Sequence, residues 1–461
     1  MTSSYILLAG AVLTLLCARL ATNWSKLRQA PGPTLAGYQQ YNGRLREKLV
    51  ELHGKHGTIV RYGVKSISIT DPDVIRVAYG SSRVGFVTAD SYRVLLGIQN
   101  GKEVASLVST RDEVRHAAIR RSVAGAFTPA AVLDYEEWVD MTIPELLDCM
   151  SGKTTFDLSS MVLWYMIDAA SRFSFGEPLG CLAAEGDVDG TIQLIRDRSD
   201  HWGWWSSIPS IERLVYRNPI AMRIKRQPSS MAATAVAKLQ KRAQAMKEGK
   251  SSDAAHPDLL QRFLESSEDH PDALDPAGLV GMLMSTISGA GDTTATSVVA
   301  TIYYLITYPE TLRKLRAELT EAGVAPIPAF GDVTKLPYLN AVVKEGMRMF
   351  STPTWPLERQ VPVGGATIAG MAFPEGTSVG CMPQAIHQNK TVFGNDVDVF
   401  RPERWVTEDR EALRLMESTH MGFSRGTRVC IGQHIAVLQM KKVIPSIIMK
   451  FNSADVCLGS L

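Results

Sequence analysis

The sequence predicts a large, mainly α domain with a small β part, on three observations. Helical periodicity recurs along most of the 461 residues, strand-like alternation is confined to two short regions, and 45% of residues are apolar, enough for one large core. The net charge of +2 is spread over interspersed residues of both signs, with no basic stripe, so no nucleic-acid partner is expected.

The elements follow in chain order. Tyr5 to Ala21 is an apolar run broken only by Arg19 and followed by Lys26 and Arg28. Its length is close to the minimum for a bilayer-spanning helix. With no Lys or Arg among the first four residues and no small-x-small cleavage site after it, it reads as an uncleaved anchor rather than a signal peptide. The positive charges after the span place the bulk of the chain on the cytosolic side. Residues 1–29 therefore form the anchor and its flank, and residues 30–461 the globular domain. Ala30 to Gly37, APGPTLAG, is a stiff linker because two prolines and two glycines prevent regular structure.

Gly54 to Asp73 alternates β-branched and polar residues and predicts a hairpin or sheet edge. Helices are predicted at Arg111 to Ala126, Leu158 to Phe173, Gly190 to Asp200, Ser229 to Lys247, Pro276 to Tyr308 and Gly432 to Met449. Strand signals return after Pro353, in RQVPVGGATIAGMAFPEGTSVG.

Cys17, Cys149, Cys181, Cys381, Cys430 and Cys457 show no CxxC spacing, which suits a reducing compartment. One of them stands out. Cys430 lies in Phe423-Ser-Arg-Gly426-Thr-Arg428-Val-Cys430-Ile-Gly432, a glycine-punctuated loop just before the last helix. Helix-end N–H groups favour a thiolate there. The glycines let the backbone approach a flat ring, and Phe423 shields the sulfur from water. Average composition would produce the pattern FxxGxRxCxG in roughly one chain of this length in ten thousand.

This segment resembles the haem-binding signature of the cytochrome P450 superfamily. The resemblance implies the cytochrome P450 fold and haem b held by Cys430 as axial thiolate, which pushes electron density to the iron and favours O–O cleavage. Other segments are similar to the same family. Glu345 and Arg348 share one helical face, and Phe400 to Trp405 resembles the PERF-like segment; together they imply a buried Glu345/Arg348/Arg404 network that locks the region presenting Cys430. Ser288-Gly-Ala-Gly-Asp292-Thr293-Thr294 interrupts a helix with two glycines and three side chains that compete for backbone hydrogen bonds, so the helix is expected to open. It resembles the oxygen-binding stretch, with Ala290 where glycine is usual. Asp292 would then feed protons from solvent and Thr293 would hydrogen-bond the oxygen being activated. His116 and Arg120, at i and i+4, together with Arg359 and Arg428, match the usual partners of the haem propionates.

The similarity spans about Pro31 to Phe451. LVSTRDEVRHAAIRR, PLERQVPVGGATIAG and DVDVFRPERW look most like the fungal pisatin demethylase-like branch. That implies electrons from NADPH through NADPH-cytochrome P450 reductase, one oxygen atom from O2 inserted into an apolar small molecule, a role in secondary metabolism, and an endoplasmic reticulum membrane location. Pocket candidates are Ser91 to Leu107, the Trp202/Trp204/Trp205 cluster, Met284 to Ser288, and Thr354 to Leu357. Arg425, Lys441 and Lys442 are candidates to face an acidic reductase surface. Gln439 replaces a common glutamate.

After the last helix the sequence reads FNSADVCLGSL, where the family continues through a pocket-closing β-hairpin. The expectation is a shortened chain or an opened pocket. Two rival functions remain: a haem-thiolate isomerase or dehydratase that does not use O2, and a truncated haem-binding protein with little turnover. Asp292 and Thr293 favour the monooxygenase, because delivery of protons to oxygen is needed only there.

Overall fold

The computed structural model describes residues 14, 22, 25–33, 44–80, 85–99, 101–224, 229–248 and 256–451. The expected anchor, apart from residue 14, and residues 452–461 lie outside the described residues. Among the described residues no helix is long and apolar enough to cross a membrane.

The chain enters the globule through α1 (Leu45–His56), which buries Leu49 and Leu52. This helix runs through Gly54, where strand alternation had been expected to begin. The hairpin starts later, as β1 (Ile59–Arg61) and β2 (Ser66–Ile69), paired antiparallel with Ile59 opposite Ile69. β3 (Val87–Thr88) and the small hairpin β4 (Gly97–Gln99) and β5 (Lys102–Val104) complete the early strands. The sequence did not signal these last three, because strands of two or three residues are too short to show a period.

Most of the expected helices form within a few residues of their predicted limits, and several of them start at side-chain caps. α2 (Glu113–Val123) begins where the Asp112 carboxylate accepts the N–H groups of Val114 and Arg115. After α3 (Glu136–Met150) comes α4 (Leu158–Phe175), capped by Asp157 and ended by Gly176 in the left-handed region at φ 81°. α5 (Thr191–Trp205) runs past the expected Asp200 and carries all three tryptophans of the 202–205 stretch. Two short helices follow, α6 (Pro209–Tyr216) and α7 (Pro219–Ile224), then α8 (Ser230–Lys247) and α9 (Leu259–Asp269).

The long helix expected at 276–308 is divided. α10 (Pro276–Gly289) and α11 (Ala295–Thr307) are joined by a π-helical turn over Ala290–Thr294. The widening falls where the sequence places glycines and competing hydroxyls, as π turns often do at functional sites. α12 (Pro309–Glu321), α13 (Pro337–Met349), α14 (Arg410–Thr419) and α15 (Gln433–Lys450) complete the main helices.

β6 (Arg359–Gln360), β7 (Ala366–Ile368), β8 (Met371–Phe373) and β9 (Ser378–Gly380) lie between α13 and α14. The main sheet has the order β1-β2-β9-β6-β3, and β2 pairs parallel with β9, Ile67 opposite Val379. Leu27 and Ala30 are buried against this sheet with Ile67, Ile69 and Val379.

The larger core surrounds α4, whose residues from Tyr165 to Phe175 are all buried, with α3, α10, α11 and α15 contributing to the same core. One expectation is corrected here. Lys442 is fully buried and ion-paired with Glu136 and with Asp140 (2.7 Å), so it ties α15 to α3 and faces no partner. The Gln439 amide is also buried, and neither its oxygen nor its nitrogen has a hydrogen-bond partner. Nothing in the structure explains that residue.

Candidate active site

The cysteine loop is held from several sides before it reaches α15. The Cys430 N–H donates to Phe423 O (2.9 Å) and the Val429 N–H to Gly426 O (3.1 Å), closing the loop on itself. Gly426 has φ 73°, and a Cβ there would lie 1.5 Å from Tyr79 O. Only glycine fits a backbone that close to another chain segment.

Cys430 differs from the other described cysteines. Cys181 and Cys381 are buried and Cys149 half-buried, whereas Cys430 is accessible. Yet burial pushes its thiol up, against the opposing pull of the Gly432 N–H and the Arg120 guanidinium. Both facts hold when the accessible surface of the sulfur faces an interior space rather than bulk water. The helix-end groups expected to favour the thiolate are present, but desolvation outweighs them, so the chain alone favours the neutral thiol. A metal cation opposite the sulfur would supply the missing charge.

The four expected propionate partners are brought together around His116. Its imidazole is pushed down to about 4, first by burial and then by Arg428, with Arg120 and Arg359 adding to the effect. The arginines are not equivalent. Arg428 is held by Glu113 through two hydrogen bonds (2.7 and 3.1 Å) and also donates to Leu107 O (3.1 Å). Arg120 donates to Val429 O (2.8 Å), one residue before Cys430. Arg359 donates to Glu358 O (3.0 Å) and lies 4.9 Å over the Tyr79 ring. Neither Arg120 nor Arg359 has a carboxylate partner among the described residues. Desolvated cations without anions are costly, and Arg120 beside the accessible sulfur, with Arg359 acting on the same His116, suits a flat iron-binding ring with two carboxylates. The residues present therefore fit haem b, with Cys430 as its ligand and Arg120, Arg359 and His116 at its acidic edge. Glu113 competes for Arg428, a competitor that spacing alone could not reveal.

Asp292 and Thr293 lie on the π turn, which packs against both α4 and α15. Asp292 is exposed by area, yet burial raises its carboxyl, which accepts a hydrogen bond from the Ser199 hydroxyl on α5 (3.4 Å). Like Cys430 it faces an enclosed space. The Thr293 hydroxyl donates to Gly289 O (2.8 Å), which leaves the lone pairs of that oxygen free to accept.

The Glu345/Arg348/Arg404 network is present and fully buried. Glu345 Oε1 accepts from Arg348 (2.9 Å), Arg404 (2.9 Å) and the Arg401 N–H (3.0 Å); Oε2 accepts from Arg348 (2.8 Å) and Trp405 Nε1 (2.8 Å). Desolvation works to raise the Glu345 carboxyl, but the two guanidiniums outweigh it and hold it below the usual range.

Sequence reasoning missed what links this network to the cysteine loop. Arg348 donates to His387 O (3.1 Å), and His387 Nε2 accepts the Met421 N–H (2.8 Å). With Nε2 accepting, Nδ1 carries the proton and faces Ser351 Oγ (2.7 Å). The His387 ring stacks on His420 at 4.8 Å, and Trp405 meets His420 edge-on at 5.5 Å. An isolated histidine in a loop gives no sequence signal of such a role.

Both rings are neutral. Burial lowers His387 well below its ordinary value and brings His420 to about 4 from 6.5. The folded state thus resists protons that the unfolded chain would bind, so this stability is complete above pH 6.5 and is lost as pH falls toward 4. Chemical denaturation across that window is expected to show a loss on the order of 3 kcal/mol from His420 alone. A midpoint independent of pH there would show that the rings titrate normally.

The pocket candidates separate. Trp202 is buried with its ring 4.2 Å from Trp355, which joins α5 to the 354–357 segment. Trp205 packs edge-on against Tyr216 at 5.2 Å, and Trp204 is exposed. Arg425 and Lys441 line a groove of about 840 Å³ that also includes Met347, Phe423 and Val437.

The comparisons agree with this geometry. The family described as Cytochrome P450 matches residues 29–456. Cytochrome P450 monooxygenase pkfB of Emericella nidulans is 32% identical over 417 residues, covering 89% of this chain and 81% of that protein. A cytochrome P450 monooxygenase of Aspergillus terreus is 31% identical over 94% of this chain and 92% of its own length. Cytochrome P450 monooxygenase mfmA of Annulohypoxylon moriforme is 30% identical over 97% and 92%.

Proposed function

The chain belongs to the cytochrome P450 family and is an enzyme of the monooxygenase kind, and on that footing we propose that it inserts one oxygen atom from O2 into an apolar small molecule of fungal secondary metabolism. The observation that carries this reading is the accessible but desolvated Cys430 beside Arg120, which like Arg359 around the same His116 has no carboxylate partner among the described residues. Haem b, when bound there, would supply the oxygen-activating chemistry.

The chain's own residues would do the rest. Cys430 would ligate the iron; Arg120, Arg359 and His116 would hold the propionates. Asp292, its carboxyl raised by burial, would exchange protons with the space under α5, and Thr293 would order a proton donor at the π turn. Proton delivery of this kind favours the monooxygenase over an isomerase or dehydratase. Thr293→Ala is expected to leave NADPH consumption running while product per NADPH falls about tenfold or more. Unchanged coupling would remove Thr293 from the mechanism.

The pisatin demethylase-like segments support that branch. Electrons would come from NADPH-cytochrome P450 reductase, docked on the groove rimmed by Arg425 and Lys441 near the cysteine loop. Residues 5–21 would anchor the chain in the endoplasmic reticulum membrane with the domain on the cytosolic face. The exposed Trp204, Leu214, Ile220 and Ile224 on α5 to α7 form an apolar surface suited to dip into the same bilayer.

A further inference from the structure

α5 forms one wall of the space above the π turn. Ile195 approaches Gly291, where an added Cβ would meet its Cδ1 at 3.5 Å. Ser199 reaches Asp292, and Trp202 lies on Trp355. These residues are spaced i, i+4 and i+7 and define the inward stripe of the helix. Arg198, at i+3, falls on the same stripe.

An arginine there is out of place unless something pairs with it. Burial lowers its guanidinium, and no neighbouring carboxylate acts against that. It donates to Leu95 O, at 3.4 Å. The contrast with other arginines of the interior is sharp. Arg217 is paired with Glu212 (2.9 Å), Arg428 with Glu113, and both Arg348 and Arg404 with Glu345. Arg120 and Arg359 also lack carboxylates among the described residues, but the propionates of a bound haem would account for them. Arg198 has no such anion, and it precedes Ser199, whose hydroxyl reaches Asp292 (3.4 Å), on the α5 stripe that faces the π turn. Asp292 does not serve as its anion, since that carboxyl is influenced by Ser199 and not by Arg198.

We propose that Arg198 selects substrates that carry a carboxylate on an otherwise apolar body, binding the anion at the α5 wall so that the apolar part lies over the π turn. The guanidinium is suited to this because it stays charged when partly desolvated and presents a planar fork to a carboxylate. Ile195 and Trp202, one turn away on either side, would line the apolar body. The proposal rests on the haem-thiolate reading of the same site.

The test titrates the haem-loaded enzyme with matched pairs, dodecanoic acid against methyl dodecanoate and naphthoic acid against methyl naphthoate, following the Soret shift and the heat of binding. In at least one pair the acid is expected to bind about tenfold tighter than its ester, with the preference shrinking at high salt. Arg198→Leu should bring the ratio to about one, and Arg198→Lys should retain part of it. No acid preference in any pair, or a preference that survives Arg198→Leu, overturns the proposal. The carbon monoxide spectrum of the same preparation separates the two readings. A thiolate-type band without acid preference sinks the role of Arg198 alone, and absence of that band sinks the haem-thiolate assignment.

Discussion

Cys430→Ala is expected to lack the red-shifted Soret band that the reduced haem-loaded protein should show with carbon monoxide, and to lose monooxygenase turnover with it. The loss should be complete because no other described cysteine can substitute. Burial pushes Cys181 up to about 11 and raises Cys381 further, and both are enclosed in packed cores. Cys149 is half-buried and also raised, chiefly by burial. Folding should be little affected, since the Cys430 side chain faces an interior space and the loop is closed by backbone hydrogen bonds from its N–H and that of Val429. Persistence of the thiolate-type band in the variant would place the ligand elsewhere and overturn the haem assignment.

The second large effect is expected at Glu345. Replacing it with glutamine removes the one carboxylate shared by Arg348 and Arg404, both of which are buried at 4% exposure or less. Arg404 keeps its ion pair with Asp396 (3.2 Å), but Arg348 is left without a carboxylate, and an uncompensated buried cation costs about 3–5 kcal/mol. The damage should reach the haem as well as the fold. Arg348 holds His387, His387 holds the Met421 N–H, and nine residues later the chain reaches Cys430. Denaturant titration is expected to show the lower stability, and the carbon monoxide spectrum a lower yield of ligated protein. Arg348→Lys should fail similarly, because an ammonium cannot reproduce the forked contacts to Glu345 and the bonds to His387 O and Val397 O at once. Glu345→Gln protein with unchanged stability and haem content would show the network to be dispensable.

The sequence by itself determined the parts of this protein whose information is local. Gly426 and Cys430 lie within five residues of one another, and Gly426 marks backbone that a side chain would block. Gly289 to Thr294 carries its own helix-opening chemistry, and Asp112, Asp157 and Ser229 announce helix starts through side chains that cap N–H groups two or three residues on. Glu345 and Arg348 are one helical turn apart, so their shared face follows from the pitch.

Only the tertiary structure decided the rest, because those relationships join residues distant in sequence. No local pattern predicts that β2 pairs with β9 across more than three hundred residues, or that Glu113 takes Arg428. Lys442 reads as a surface cation until α3 brings Glu136 and Asp140 to it. Desolvation likewise belongs to the assembled fold. It raises the Cys430 thiol and the Asp292 carboxyl and holds His387 and His420 neutral, and it makes Arg198 conspicuous as a cation without an anion. A sequence shows which groups carry charge; the surrounding protein decides what that charge costs and what must come to balance it.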